Sequence, residues 1–161
     1  MSHMAREAAE APEAVARFLQ RNAKALAEIG AYLRRMSPPA IITSARGSSD
    51  CAAGYFKYLA EILTGVPCSS IGASVVSVYG AKLHLKNGLC LTISQSGKSP
   101  DIVALQDAAR KAGALTVAVV NVEDSPAAHA ADICLPLHAG PSSVLPQRNP
   151  SLCHWRLEQQ L

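Results

Sequence analysis

The segment that most narrows the fold is Ala114-Leu115-Thr116-Val117-Ala118-Val119-Val120-Asn121, a nearly unbroken apolar run that follows Gly113. A strand with apolar residues on both faces needs cover on both faces, as in the middle of a parallel sheet between helices. Parallel neighbours are joined by crossover connections, so strands and helices must alternate along the rest of the chain. They do. Ala40 to Ser44 is a β-branched run, followed by a helical pattern from Cys51 to Leu63 with Ala52, Phe56, Leu59 and Leu63 expected on its buried face and Thr64-Gly65 as its stop. Pro67 to Ile71 is a short strand candidate, Val75 to Gly80 a small helix or turn, and Lys82 to Asn87 alternates loosely before the Asn87-Gly88 turn pair. Leu89 to Ile93 is a further apolar strand leading to a helix over Pro100 to Lys111. Ser125-Pro126 opens a short Ala-rich helix, and Ala131 to Leu137 is the last strand. The expected fold class is α/β, a doubly wound, mostly parallel sheet of about five strands flanked by helices.

Ahead of this unit, Ala5 to about Met36 is rich in Ala, Glu, Leu and Arg, with Val15, Phe18, Leu19, Leu26, Ile29, Tyr32 and Leu33 mostly at three- and four-residue steps. It predicts a long amphipathic helix, interrupted or begun anew near Pro12, that packs on the domain or on a partner chain and is stopped by Ser37-Pro38-Pro39. The expected layout is a helical extension at 1–36, a single domain at 37–141 and an atypical tail at 142–161.

Bulk properties exclude several functions. A chain of 161 residues with Lys plus Arg at 15 and Asp plus Glu at 12 has only a small positive balance, its basic residues are scattered, and aromatics are 4%. No nucleic-acid footprint results. No apolar span reaches the roughly 20 residues of a membrane helix, and the charged, Ala/Glu-rich start lacks the apolar core of a secretion signal. A soluble, cytoplasmic protein is expected. Cys51, Cys68, Cys90, Cys134 and Cys153 are widely spaced with no C-x-x-C pair, which predicts buried free thiols and no zinc.

Two strand-to-helix turns carry the candidate chemistry. Ser94-Gln95-Ser96-Gly97-Lys98-Ser99-Pro100-Asp101 places three serines, an amide and a Gly at the positive end of a helix dipole, where a phosphate binds well. An ordinary N-cap is the alternative, since Ser caps helices and Pro suits the first helical position. Capping needs one Ser, and this turn has three. Arg46-Gly47-Ser48-Ser49-Asp50 repeats the design after the earlier strand, with Arg46 adding a fixed positive charge. In a doubly wound sheet both turns would emerge at the carboxyl ends of strands, where ligands bind.

Other titratable residues read as ordinary. His84, His129 and His138 lack acidic or thiol partners at ligand spacing, so no metal is expected. Glu61 and Asp107 lie near Lys57 and Arg110 as solvated helix pairs, and Lys98 reads as solvent-facing. Ser48 or Ser96 as a nucleophile lacks a placed His-Asp partner, which makes hydrolase chemistry the weaker reading.

Taken together, Arg46 to Asp50, Ser74-Val75-Val76-Ser77-Val78-Tyr79-Gly80, Ser94 to Asp101 and Ala118 to Asn121 resemble, in order, the motifs of the sugar isomerase (SIS) domain family. The subgroup most resembled is that of SIS-type glucosamine-6-phosphate deaminases, relatives of the isomerase half of glutamine-fructose-6-phosphate aminotransferase. The resemblance implies a phosphosugar held by Arg46, Gly47, Ser48, Ser49, Ser94, Gln95, Ser96 and Ser99, with Asp50 as a further subgroup position, no cofactor, and ring opening with proton transfer between sugar C1 and C2, with ammonia displaced in a deaminase. Members of this kind carry two SIS domains in tandem, and the base and ring-opening His come largely from the second, so no catalytic residue is assigned here. A homodimer would restore a two-domain arrangement. A non-catalytic phosphosugar sensor and an inactive truncated product are the alternatives.

The family continues past Ala139-Gly140-Pro141 with a Glu and a Val-Ala-(Ala/Ser)-Thr-Lys-(Ser/Ala) segment, where this chain reads Ser142-Ser143-Val144-Leu145-Pro146-Gln147-Arg148. Codons chosen for Leu145 to Ser151, read one nucleotide earlier, encode Val-Ala-Ala-Thr-Lys-Ser. The tail from Ser142 to Leu161 is therefore read as a frameshift product.

Overall fold

A computed structural model describes residues 3–140. Eleven elements follow in the order α1 His3–Arg21, α2 Ala23–Met36, β1 Ile41–Ser44, α3 Ser48–Thr64, β2 Cys68–Ser70, α4 Ser74–Ser77, β3 Leu89–Ser94, α5 Pro100–Lys111, β4 Leu115–Val120, α6 Pro126–Ala130 and β5 Ile133–Pro136. The five strands form one sheet in the order β2-β1-β3-β4-β5, and every pairing is parallel. The expected fold class is thus observed, and among the described residues no strand is antiparallel.

β3 and β4 are buried along nearly their whole length because helices cover both faces. On one face Ile41, Leu89, Leu91, Leu115, Val117, Ile133 and Leu135 pack with Ile29 of α2 and Ala60 of α3. On the other, Ile42, Cys90 and Ala109 of α5 form a second cluster, and Ala118, Val120, Ala127 and Ala128 a third beneath α6. Alternate residues of each strand point to opposite faces, so Ile41 and Ile42 enter different clusters.

The N-terminal helix differs from expectation in where it breaks. It runs through Pro12 and is interrupted at Asn22 instead. Ala/Glu-rich flanks carry the helix past an exposed proline that removes one ladder donor. At Asn22 the buried side-chain amide donates to Phe18 O at 2.9 Å and to Pro136 O at 3.0 Å, fastening the break to the end of β5. Phe18, Leu26, Tyr32, Leu33 and Met36 pack on the sheet's first cluster, so the helices lie on the domain.

α3 also departs from expectation. It begins at Ser48, three residues before the predicted start, and its buried positions are Ala53 and Ala60 with Phe56 partly covered, whereas Ala52, Leu59 and Leu63 are exposed. Apolar residues occur all round this helix, so periodicity alone did not select the inner face. Lys82 to Asn87 forms no regular element, though Leu85 is buried. The tail at 142–161, with Cys153, lies outside the described residues. Among the described residues no helix is long and apolar enough to cross a membrane.

Candidate functional site

The chain leaves β1 toward β2 on one side and β3 toward β4 on the other, so the winding reverses between the adjacent strands β1 and β3. Beyond the carboxyl ends of two such strands the crossover helices diverge and leave a crevice, the usual ligand position in open α/β sheets. Both serine turns emerge there. Ser44 is the register partner of Thr92, which fixes the offset between the turns.

In the first turn, Gly47 takes φ +62°, a left-handed value that favours glycine. Nothing lies within 4 Å of where its Cβ would be, so the backbone angle sets the demand for glycine here. Ser48 and Ser49 open α3, leaving their N–H groups without intrahelical partners. Ser48 is exposed and Ser49 half-buried, and among the described residues neither hydroxyl is hydrogen-bonded. Asp50 accepts from Ser70 Oγ at 3.4 Å.

The second turn is wired from within. Buried Ser94 accepts from Gly97 N–H at 3.0 Å through its Oγ, and Ser96 Oγ accepts from Lys98 N–H at 3.4 Å. Asn121 N–H donates to Gln95 O at 3.2 Å, and Ala127 N–H to Gly97 O at 3.0 Å. Gly97 has φ +62° and lies against the N-cap residue of α6, where a Cβ would stand 2.7 Å from Ser125 Cβ. Ser99 is the extended N-cap residue of α5, yet its hydroxyl makes no capping bond, which leaves it available. Gln95 and Lys98 are exposed. Two helix N-termini, free hydroxyls and exposed backbone suit an anion.

One link joins the turns: Arg46 Nη1 donates to Asp101 Oδ2 at 2.6 Å. The fixed positive charge of Arg46 is thus tied to the first turn of α5. Asp101 was not singled out in the sequence, because its partner lies 55 residues away in the chain. No sequence signal besides its first-turn position marks it.

Other residues resolve differently from their expected isolation. His129 Nε2 lies 2.8 Å from Asp124 Oδ1, and His138 Nδ1 lies 3.6 Å from Glu123 Oε1. Each is a single pair, and among the described residues no group of three or more His, Cys, Asp or Glu could hold a metal. Asp107 does pair with Arg110, and also with Lys111 at 2.6 Å, whereas Glu61 accepts from Cys68 N–H at 3.1 Å. Burial pushes the Cys90 thiol up to about 12 and raises Cys68 as well, so neither is a ready nucleophile. Cys51, expected among the buried thiols, is exposed.

With this geometry in hand, comparisons with known proteins converge. The family model described as SIS domain matches residues 36–151. A glutamine–fructose-6-phosphate aminotransferase (isomerizing) of Pyrococcus horikoshii is 33% identical over 138 residues, 86% of this chain and 23% of that protein. Among solved structures, a protein assigned as a phosphosugar isomerase from Silicibacter pomeroyi superposes with a TM-score of 0.83 at 48% identity, covering 88% of this chain and 43% of its own. The C-terminal domain of glucosamine-fructose-6-phosphate aminotransferase from Francisella tularensis gives 0.69 at 26% identity, covering 87% and 40%. The chain thus spans less than a quarter of that curated relative and about two-fifths of the two solved chains.

Proposed function

Because the chain belongs to the SIS domain family, we propose that its paired serine turns grip the phosphate of a phosphosugar at the β1/β3 switch point. The supporting observation is the emergence of both turns from adjacent parallel strands, bridged by Arg46 and Asp101. Backbone N–H groups at the starts of α3 and α5 and the hydroxyls of Ser48, Ser49, Ser96 and Ser99 receive the phosphate and nearby sugar oxygens. Ser94 holds Gly97 in shape, Gly47 allows close approach, Gln95 and Arg46 line the rim. Gripping the charged end fixes the reactive carbons relative to acid-base groups, which is worth more to catalysis than affinity alone.

The substrate class we assign is an aminosugar or ketose 6-phosphate, in an isomerase, deaminase or aminotransferase reaction, which the name of the Pyrococcus relative supports. Within the two turns the only carboxylates, Asp50 and Asp101, are bonded to Ser70 and Arg46. Neither is poised as the general base that a C1–C2 proton transfer requires. The turns therefore read as the anchoring half of a site, within a cytoplasmic single domain at 37–141 behind a helical extension at 1–36. Their lack of an available base is also what favours a second reading, a phosphosugar sensor that binds without turnover. The tail at 142–161 we assign to a shifted reading frame, which sequencing the gene would test.

Calorimetric titration with glucosamine 6-phosphate and with glucosamine tests the site, and an ammonia-release assay on the same sugar phosphate tests turnover. Phosphate-dependent binding lost in a Ser48→Ala, Ser96→Ala double variant is expected. Binding that ignores the phosphate, or survives that variant, overturns the proposal, and binding without ammonia release selects the sensor.

A further inference from the structure

Asp101 is a carboxylate standing where an anion is expected to bind. It follows Pro100 in the first turn of α5, at the helix end whose free N–H groups and dipole favour negative charge. Its Oδ2 accepts from Arg46 Nη1 of the other turn at 2.6 Å, while Oδ1 is buried and, among the described residues, has no hydrogen-bond partner. The carboxylate thus relies on Arg46 for compensation, and without it would stand as a desolvated charge that repels a second anion. Arg46 relies on Asp101 in turn. Its side chain is 65% exposed beside the open space around Gly47, and among the described residues its guanidinium is bonded to Asp101 alone. An exposed arginine samples many rotamers, and a guanidinium held through one N–H keeps its other donors for a second acceptor.

We propose that Asp101 is a positioning residue, holding the Arg46 guanidinium over the two turns so that its remaining N–H groups meet the phosphate of the ligand. This role rests on the phosphosugar reading and adds to it the residue that aims its cation. Coulomb attraction alone would give Asp101 the reverse effect. Removing a carboxylate beside an anion site makes the local potential more positive, and by charge alone that tightens phosphate binding. Aiming predicts a loss instead, because a freed Arg46 must be ordered at the moment of binding. For one rotamer-rich side chain that ordering costs about two- to tenfold in affinity. The sign of the change therefore separates aiming from repulsion. Without Arg46 the sign turns over, since Asp101 then has nothing to aim and is only an uncompensated negative charge.

A double-mutant cycle of Arg46→Ala and Asp101→Asn in the full chain tests it, read by calorimetric titration with glucosamine 6-phosphate and, as control, with glucosamine. Arg46→Ala should weaken phosphate-dependent binding at least about tenfold, the loss of a charge-assisted bond. Asp101→Asn should weaken it about two- to tenfold when Arg46 is present, and leave it unchanged or strengthen it in the Arg46→Ala background. Asp107→Asn, which removes the same charge further along α5, should change nothing. Far-UV circular dichroism verifies that each variant is folded, and Arg46→Gln takes the place of Arg46→Ala should that variant not fold. Tighter binding on Asp101→Asn alone overturns the proposal, since Asp101 would then compete with the phosphate for Arg46. Unchanged binding overturns it, as does an equal loss in both backgrounds, which would mean that Asp101 shapes the turn without Arg46. In these three cases the wild type still binds through the phosphate and the phosphosugar reading stands, whereas wild-type binding that ignores the phosphate removes both.

Discussion

The two serine turns share an outline and differ in how they are held. The turn after β3 is tied to itself by Ser94 and Ser96, to β4 through Asn121 and to α6 through Ala127, and Gly97 packs against Ser125. The turn after β1 has free serine hydroxyls, open space around Gly47 and ties through Arg46 and Asp50. One turn is part of the scaffold, with its donors fixed before any ligand arrives, while the other presents similar groups from a lightly held loop. As the proposed phosphate site, the pair would have little ordering left to do on one side and room to adjust on the other.

The glycines give the sharpest contrast, since Gly47 and Gly97 have the same φ of +62° and different neighbours. Gly97→Ala adds a collision with Ser125 to the backbone strain and should destabilise by about 3 kcal/mol or more. Gly47→Ala carries only the backbone cost, about 1–3 kcal/mol, since φ +62° with ψ −133° lies outside the left-handed helical well that other residues can enter. Urea unfolding of both variants measures the difference, and equal losses would erase the distinction between a packed and an open turn.

Removing hydroxyls separates support from contact. Ser94→Ala deletes a buried acceptor and orphans Gly97 N–H, at about 1–2 kcal/mol of stability. Ser48→Ala and Ser49→Ala should shift stability by no more than about 0.5 kcal/mol. Calorimetry should nevertheless show each weakening glucosamine 6-phosphate binding about tenfold, or about 1.4 kcal/mol. A large stability loss at Ser48 would mean the first turn is held as firmly as the second.

This asymmetry also marks what the sequence made legible. α5 was read to its bounds at Pro100 and Lys111 because proline in the first turn and a glycine soon after the last turn are local signals. β4 was legible from its apolar run, and a mostly parallel sheet followed from it; that every pairing is parallel came only with the structure. What failed to show was tertiary. Asn22 breaks the N-terminal helix because Pro136 O, 114 residues on, accepts its amide, and the Arg46–Asp101 link spans 55 residues. The inner face of α3 was misread because apolar residues occur all round the helix, so the spacing of Ala52, Leu59 and Leu63 fitted a face that Ala53 and Ala60 in fact occupy. At the site, residue types were readable and their partners were not.

The carboxylates of α5 extend the comparison at its smallest scale. Asp101 ties one turn to the other in a pair whose Arg46 side chain is 65% exposed, so Asp101→Asn should change stability by less than about 1 kcal/mol. Asp107, two turns along, is held below the usual carboxylate range, chiefly by a hydrogen bond from Lys111 and further by Arg110, with slight burial opposing. A carboxyl lowered in the folded state stabilises the fold above its unfolded value of about 4 and loses that contribution as pH falls through the lowered folded value. With a third of the side chain in water, the amount is a few tenths of a kcal/mol. Serine hydroxyls and backbone amides, which hold the second turn, do not titrate over this range. Asp107→Asn should therefore flatten a small part of the stability loss between about pH 5 and about pH 3 while leaving phosphosugar affinity near neutral pH unchanged. Urea midpoints across that interval, with calorimetry at neutral pH, measure both. An affinity change on removing Asp107 would show that the second turn depends on charge further along its helix, and that its rigidity is not set by its own hydrogen bonds.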